Sequence, residues 1–166
     1  MPQTPRGEDD SATKAPRAYP RALRLLLQKS RSKANLRQIL EDEGLAAADI
    51  DGALAEVQAH GYVHDGRLAE SIGHAAWRRG KGPAWLEQAL RHRQVDVDSS
   101  REALAEARAR EHRDAAATLA ARARRLPPPA DDGARARALR FLLGRGFSPS
   151  AAQAAVREWR AQARDD

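Results

Sequence analysis

The chain is 166 residues long, carries a formal charge of +6, has 4% aromatic residues and no cysteine, and is dominated by Ala, Arg and Leu. These are strong helix formers, so an all-α fold is predicted; the missing thiols exclude disulfides and thiol catalysis and fit a reducing compartment. No apolar run approaches the roughly 20 residues of a membrane span and the N-terminus has no apolar signal core, so a cytoplasmic protein with no membrane partner is expected.

Residues 1–18, rich in Pro, charge and small side chains without an apolar period, read as a disordered lead-in. Helices are then predicted near 19–29, 33–43, 47–60, 66–79, 84–92, 98–109, 111–125, 132–144 and 149–163. Within this run one apolar template occurs three times, at offsets 0, 4, 9, 14 and 18. It reads Leu36, Leu40, Leu45, Ile50, Leu54; then Leu86, Leu90, Val95, Ser100, Leu104; then Ala138, Leu142, Phe147, Ala152, Val156. Offsets 0 and 4 share one helix face, 9 lies in a turn, and 14 and 18 share a face of a second helix. The turn Gly80-Lys81-Gly82-Pro83 separates a first unit at 19–82 from a second at 83–126, and Pro127-Pro128-Pro129 breaks the chain before a third at 131–163. A trihelical unit of about 50 residues is near the lower limit for an independent core, so the units should lean on one another. The expected architecture is an elongated tandem array of three three-helix repeats, helix-turn-helix-like in each hairpin.

Turn chemistry recurs in register with the template. Asp96 and Ser148 stand at offset 10 as N-cap acceptors, and Pro149 and Pro83 suit the first helical position. Gly44 and Gly146 precede the turn hydrophobes Leu45 and Phe147, where a left-handed C-cap is wanted. The second copy has Gln94 in place of Gly and the first has Ala46 at the cap, which makes weaker termini.

Basic residues are placed unevenly. Residues 21–40 hold Arg21, Arg24, Lys29, Arg31, Lys33 and Arg37 with no acid, and this segment accounts for the whole net charge. A second cluster, Arg78, Arg79 and Lys81, adjoins Trp77 at a Gly-flanked turn, and Arg140 and Arg145 supply a basic surface in the last unit. Such clusters attract phosphates or acidic protein surfaces. The candidate contact residues are therefore Arg24, Arg31, Lys33, Arg37, Trp77, Arg78, Arg79, Lys81, Arg140 and Arg145. The bland alternatives are a solvated helix surface for the 25 Arg among 29 basic residues and a core role for Trp77.

Chemistry-bearing constellations are absent from the sequence. His60 and His64 are four apart with Gly61 and a helix end between them, no third ligand stands at a metal-site spacing, and His74, His92 and His112 lie in polar helical contexts. There is no phosphate loop of the Walker type and no nucleophile elbow. Asp65, just before the helix carrying Leu68 and Ile72, is a natural N-cap. No catalytic residue, metal or cofactor is expected.

Several segments in order resemble the RecX regulators of the RecA recombinase: Arg31-Ser32-Lys33-Ala34-Asn35-Leu36, Gly61-Tyr62-Val63-His64-Asp65 with Leu68-Ala69, Arg79-Gly80-Lys81-Gly82-Pro83, and Arg140-Phe141-Leu142 with Arg145-Gly146-Phe147. The resemblance runs from about residue 20 to residue 160, and departs at Asn35, His64, Leu68 and Gln94, which are capping and packing positions. It implies a non-enzymatic, monomeric modulator that binds the RecA filament on single-stranded DNA and restrains its growth, strand exchange and ATP hydrolysis. The alternative is an autonomous DNA-binding helix-turn-helix protein, although a basic recognition helix does not recur in the middle and last units.

Overall fold

The computed structural model describes residues 18–123 and 132–165. The lead-in (Ala18 apart) and the Pro127–Pro129 break lie outside these residues. Among the described residues the chain forms nine helices and no strand: α1 (Ala18–Gln28), α2 (Lys33–Asp42), α3 (Ala47–Ala59), α4 (Asp65–Arg78), α5 (Pro83–His92), α6 (Val97–Ala109), α7 (Glu111–Ala123), α8 (Asp132–Leu143) and α9 (Pro149–Asp165). Their ends fall within one or two residues of those predicted. None of the described helices is long and apolar enough to cross a membrane.

The template positions form the cores. Leu36, Leu40, Ile50 and Leu54 are buried together with Ala22, Leu25, Val57 and Val63. Leu86, Leu90 and Val95 are buried with Leu68, Ala69, Ala76 and Ala103. Ala138, Leu142, Phe147, Ala152 and Val156 are buried with Ala115, Leu119, Ala151 and Ala155. Leu45 and Leu104 are half-buried, and Ser100 satisfies its hydroxyl by donating to the Asp96 carbonyl at 2.7 Å. The helices thus pack as α1–α3, α4–α6 and α7–α9, each group around one core.

This grouping differs from lines drawn at 82/83 and 126/131. The template covers only the last two helices of each group, so periodicity alone leaves open whether the third helix precedes or follows them. The cores place it first: α4 packs on α5 and α6, and α7 on α8 and α9. The chain divides between Val63 and His64 into two compact units, one holding α1–α3 and the other α4–α9.

The offset of 4 to 9 has a backbone cause. At the end of α5 the Gln94 amide donates to the Arg91 carbonyl at 2.9 Å and the Val95 amide to the Leu90 carbonyl at 3.0 Å. This pair of bonds is the Schellman motif, in which the hydrophobe after the left-handed residue folds onto the last turn of the helix. The same pair closes α2 through Gly44 and Leu45, and α8 through Gly146 and Phe147. Gly146 has φ of +86°, and Gln94 takes φ of +53° where its equivalents are glycine. The turn is therefore kept in the middle copy at the cost of holding a side chain in left-handed backbone.

The N-caps follow suit. Ser32, Asp96 and Ser148 accept from the amides three residues on, at 3.1, 2.9 and 3.3 Å, whereas Ala46 offers no side-chain acceptor. At α4 the cap is His64 rather than Asp65: its Nδ1 accepts from the Arg67 amide at 3.2 Å, and Asp65 is the first helical residue, favourable there for the helix dipole.

Candidate nucleic-acid and protein interface

The basic segment in the first unit is largely tied to its own module. Arg21 Nε donates to both Glu43 carboxylate oxygens, at 2.8 and 3.0 Å, and this guanidinium holds the Glu43 carboxyl below its ordinary range. Arg37 pairs with Asp51 and lies 3.6 Å from Glu41. Arg31 reaches the Leu25 carbonyl at the end of α1 at 3.4 Å and Asn35 Oδ1 at 2.9 Å, so it caps one helix and braces the start of the next. Lys33 donates to Gln58 Oε1 at 3.1 Å. Arg24 is exposed. The segment from Arg31 to Leu36, with Ser32 fully buried as the cap of α2, is thus a helix-starting device as much as a charged surface.

The second unit presents a different arrangement. α4 ends in the same Schellman pair, Gly80 amide to Trp77 carbonyl at 2.8 Å and Lys81 amide to Ala76 carbonyl at 3.0 Å. The residue in the hydrophobe's place is Lys81, so this turn presents a cation. The loop is fastened elsewhere: the Gly82 amide donates to the Arg145 carbonyl at 2.9 Å and the Ala84 amide to the Gly146 carbonyl at 3.1 Å. Arg145 Nη1 returns to the Arg79 carbonyl at 2.6 Å and the Gly80 carbonyl at 3.3 Å. The approach is close enough that a Cβ on Gly82 would stand 2.4 Å from the Gly146 oxygen. Two backbone bonds and one guanidinium therefore clasp the α4–α5 loop to the α8–α9 loop.

This clasp shapes an open groove of about 620 Å³, whose walls are the end of α4 with its loop on one side and α7 with Phe141 and Arg145 on the other. Trp77 lines it and is 50% exposed. One side of the indole is covered by the Arg110 guanidinium at 4.3 Å from the ring centroid. Arg110 is neutralised by Glu106 at 3.1 Å and Asp114 at 2.8 Å, the latter contact out of line for a hydrogen bond from Nε. Across the groove the guanidiniums of Arg122 and Arg145 stand 4.3 and 4.7 Å from the Phe141 ring centroid. Five cations, Arg78, Arg79, Lys81, Arg122 and Arg145, line the groove against one carboxylate, Asp114, which is already paired. Arg78, Arg79 and Lys81 form no ion pair among the described residues.

Of the residues nominated from sequence, the fold gathers Trp77, Arg78, Arg79, Lys81 and Arg145 at this groove, with Arg145 acting first as scaffold. Arg140 is exposed on α8 and does not line the groove. Arg24, Arg31, Lys33 and Arg37 belong to the other unit. Sequence reasoning passed over Arg122 and Phe141 as groove residues. Phe141 left a usable sign, because it sits one position off the buried Ala138–Leu142 face; Arg122 left none. Elsewhere His60 contacts Tyr19 and Tyr62, with ring centroids 6.4 and 5.7 Å away, while His64 serves as a cap, so the two imidazoles have separate structural employment.

Residues 111–156 match the family profile described as "RecX, third three-helix domain", which starts where α7 starts. The chain is 33% identical over 128 residues to the regulatory protein RecX of Ralstonia nicotianae, covering 77% of this chain and 79% of that protein. It is 32% identical over 137 residues to the RecX of Leptothrix cholodnii, covering 82% and 85%. Its fold matches the crystal structure of RecX from Lactobacillus salivarius with a TM-score of 0.75 at 18% identity, over 87% of this chain and 95% of that one. With tandem three-helix modules and this extent of similarity, the chain belongs to the RecX family of regulatory proteins.

Proposed function

We propose that the protein is a negative modulator of RecA, which binds RecA filaments on single-stranded DNA and restrains their growth, strand exchange and ATP hydrolysis without chemistry of its own. The observation that carries this reading is the similarity of more than three quarters of the chain to RecX regulatory proteins. The clasped groove of the second unit supports it, because a half-exposed Trp beside unpaired cations is a favourable composition for an interface centre. On this reading Trp77, Arg78, Arg79 and Lys81 make the principal contacts, and Arg24, Arg31, Lys33, Arg37 and Arg140 add long-range attraction for an anionic filament. The protein then acts in the cytoplasm as a monomer, in homologous recombination, DNA repair and the SOS response.

The test is RecA ATPase on single-stranded DNA with substoichiometric amounts of this protein. Inhibition that is lost in Arg79→Glu with an unchanged melting temperature supports the reading, and no inhibition by the wild type refutes it.

A further inference from the structure

We infer that the start of α4 is a proton-sensitive fastening: uptake of a proton by the His64 imidazole releases the first turn of this helix and adds it to the link between α3 and α4. The inference concerns this link alone and does not depend on the RecA reading.

The two ends of the link are held by different chemistry. On the α3 side the anchor is backbone and apolar burial. The Gly61 amide donates to the Gln58 carbonyl and the Tyr62 amide to the Val57 carbonyl, both at 2.9 Å, a Schellman pair with Gly61 at φ of +72°. Val63 is buried in the first core. His60 caps this end of α3 with its ring against Tyr19 and Tyr62, where the helix C-terminus and the neighbouring ring faces favour a proton. Acidification therefore does not loosen the α3 side.

On the α4 side the anchor is one imidazole. His64 Nδ1 accepts from the Arg67 amide at 3.2 Å, which requires a lone pair on that nitrogen and places the proton of the neutral ring on Nε2. A proton on Nδ1 turns the acceptor into a donor facing another donor, and sets a positive charge at the positive end of the helix dipole. The turn has little else to hold it. Gly66 within it is a poor helix former, and burial begins only at Leu68. Residues 65–67 are thus what the cap retains, and the chain divides into its two compact units immediately before His64. Released and extended, these residues lengthen the link by about 5–6 Å.

The ring's charged neighbours along the chain are Asp65, whose carboxylate favours a proton on it, and Arg67, whose guanidinium opposes one. On the helices packed against α4, Glu87, Asp98 and Glu106 pair with Arg91, Arg101 and Arg110 of their own helices, and Asp96 caps α6. Among the described residues no acid of α5 or α6 forms an ion pair with His64. An imidazole changes charge between about pH 5 and 8. The Ser32 hydroxyl does not, and the Asp96 carboxyl is held below its ordinary value of 3.8, so the caps of α2 and α6 are controls within the same chain.

The experiment is amide hydrogen exchange by NMR on the full chain at about pH 7.5 and about pH 5.5, corrected for the intrinsic pH dependence of exchange. At the lower pH the Arg67 amide is expected to lose about 2- to 30-fold in protection, the range of one helix cap. Asn35 and Ser99, whose amides are held by Ser32 and Asp96, should keep theirs. His64→Asp, which caps with a carboxylate, should keep Arg67 protected at both pH values, and His60→Gln should leave the wild-type response in place. The ring nitrogen shifts of His64 should show the Nε2–H tautomer at the higher pH. An Arg67 amide equally protected or unprotected at both values, a response that survives His64→Asp or vanishes in His60→Gln, or an Nδ1–H tautomer overturns the inference.

Discussion

Gly82→Ala isolates the clasp between the α4–α5 and α8–α9 loops. Gly82 has φ of −86° and ψ of 176°, backbone that any residue adopts, so the substitution costs nothing in dihedral strain and its effect comes from space. The new Cβ would lie 2.4 Å from the Gly146 oxygen, 2.5 Å from its carbonyl carbon and 2.6 Å from the Phe147 amide nitrogen. All three are backbone atoms that have no rotamer to change, and comfortable non-bonded separations are about 3.5–4.0 Å. The loops must therefore part by about 1 Å, which breaks the bonds from the Gly82 and Ala84 amides. Two lost hydrogen bonds are worth about 1–3 kcal/mol together, and Ala is a poorer N-cap than Gly for α5 by up to about 1 kcal/mol. A loss of about 2–4 kcal/mol is expected, read as a fall of roughly 1–2 M in the urea midpoint for typical slopes. Gly52→Ala in α3 is the control, since open space surrounds its Cβ position and it should gain about 0.5–1 kcal/mol. A Gly82→Ala midpoint equal to wild type would show that the two loops are not fastened as described.

Gln94→Gly should stabilise the second unit by about 1 kcal/mol by relieving left-handed backbone, visible as a raised melting temperature. Leu40→Ala, at a fully buried position beside Leu36, Ile50 and Leu54, should cost about 2–5 kcal/mol in denaturant unfolding. The Ser99 hydroxyl and amide hold the Asp96 carboxyl below its ordinary value of 3.8, so its contribution to stability is present above that value and is lost as pH falls through the lower folded value. Wild type should accordingly lose more urea resistance between pH 5 and pH 3 than Asp96→Asn, which still caps but does not titrate. Reversing Arg31, Lys33 and Arg37 to Glu removes partners of Leu25, Asn35, Gln58, Asp51 and Glu41, so a drop in melting temperature is expected along with any loss of binding; unchanged melting would show that these contacts contribute little.

What the sequence made legible was local. The 0, 4, 9, 14, 18 template could be read because each interval belongs to a short piece of chain: one helical turn, one Schellman turn, one cap and the next helical face. Helix ends followed from Ser32, Asp96, Ser148, Pro83 and Pro149 for the same reason. The grouping of helices into modules was not legible, because Leu68 and Ala76 on α4 and Leu119 on α7 have apolar faces compatible with either neighbour until the cores are assembled. The groove was half legible. Trp77, Arg78, Arg79 and Lys81 lie together in sequence, but the contact of Arg145 with the Arg79 carbonyl spans 66 residues and leaves no periodic trace. His64 as the cap of α4 was hidden for a chemical reason, since an imidazole nitrogen does what an Asp oxygen is expected to do, one residue earlier.

The count of cations was a poor guide to where this protein holds cations without acidic partners. The first unit's basic run holds six, yet Arg21, Arg31, Lys33 and Arg37 are engaged with carboxylates, amides or carbonyls of their own module. Ligand binding there must first displace internal partners. The groove of the second unit holds fewer, but its three leading cations have no acid to displace. The difference originates in one turn. Where α2, α5 and α8 end, the residue after the left-handed position is Leu45, Val95 or Phe147, and each is drawn back onto its own helix. Where α4 ends, the backbone makes the same two hydrogen bonds but the residue is Lys81, which that core does not take in, and the loop is held by another loop's carbonyls instead. Transferring the anchor from side chain to backbone leaves Arg78 and Arg79 exposed and Lys81 half-buried, its ammonium 5.4 Å from the Trp85 ring centroid. Restoring the hydrophobe, as in Lys81→Leu, should therefore preserve or raise stability while weakening anion binding, a combination that a merely solvated lysine would not produce.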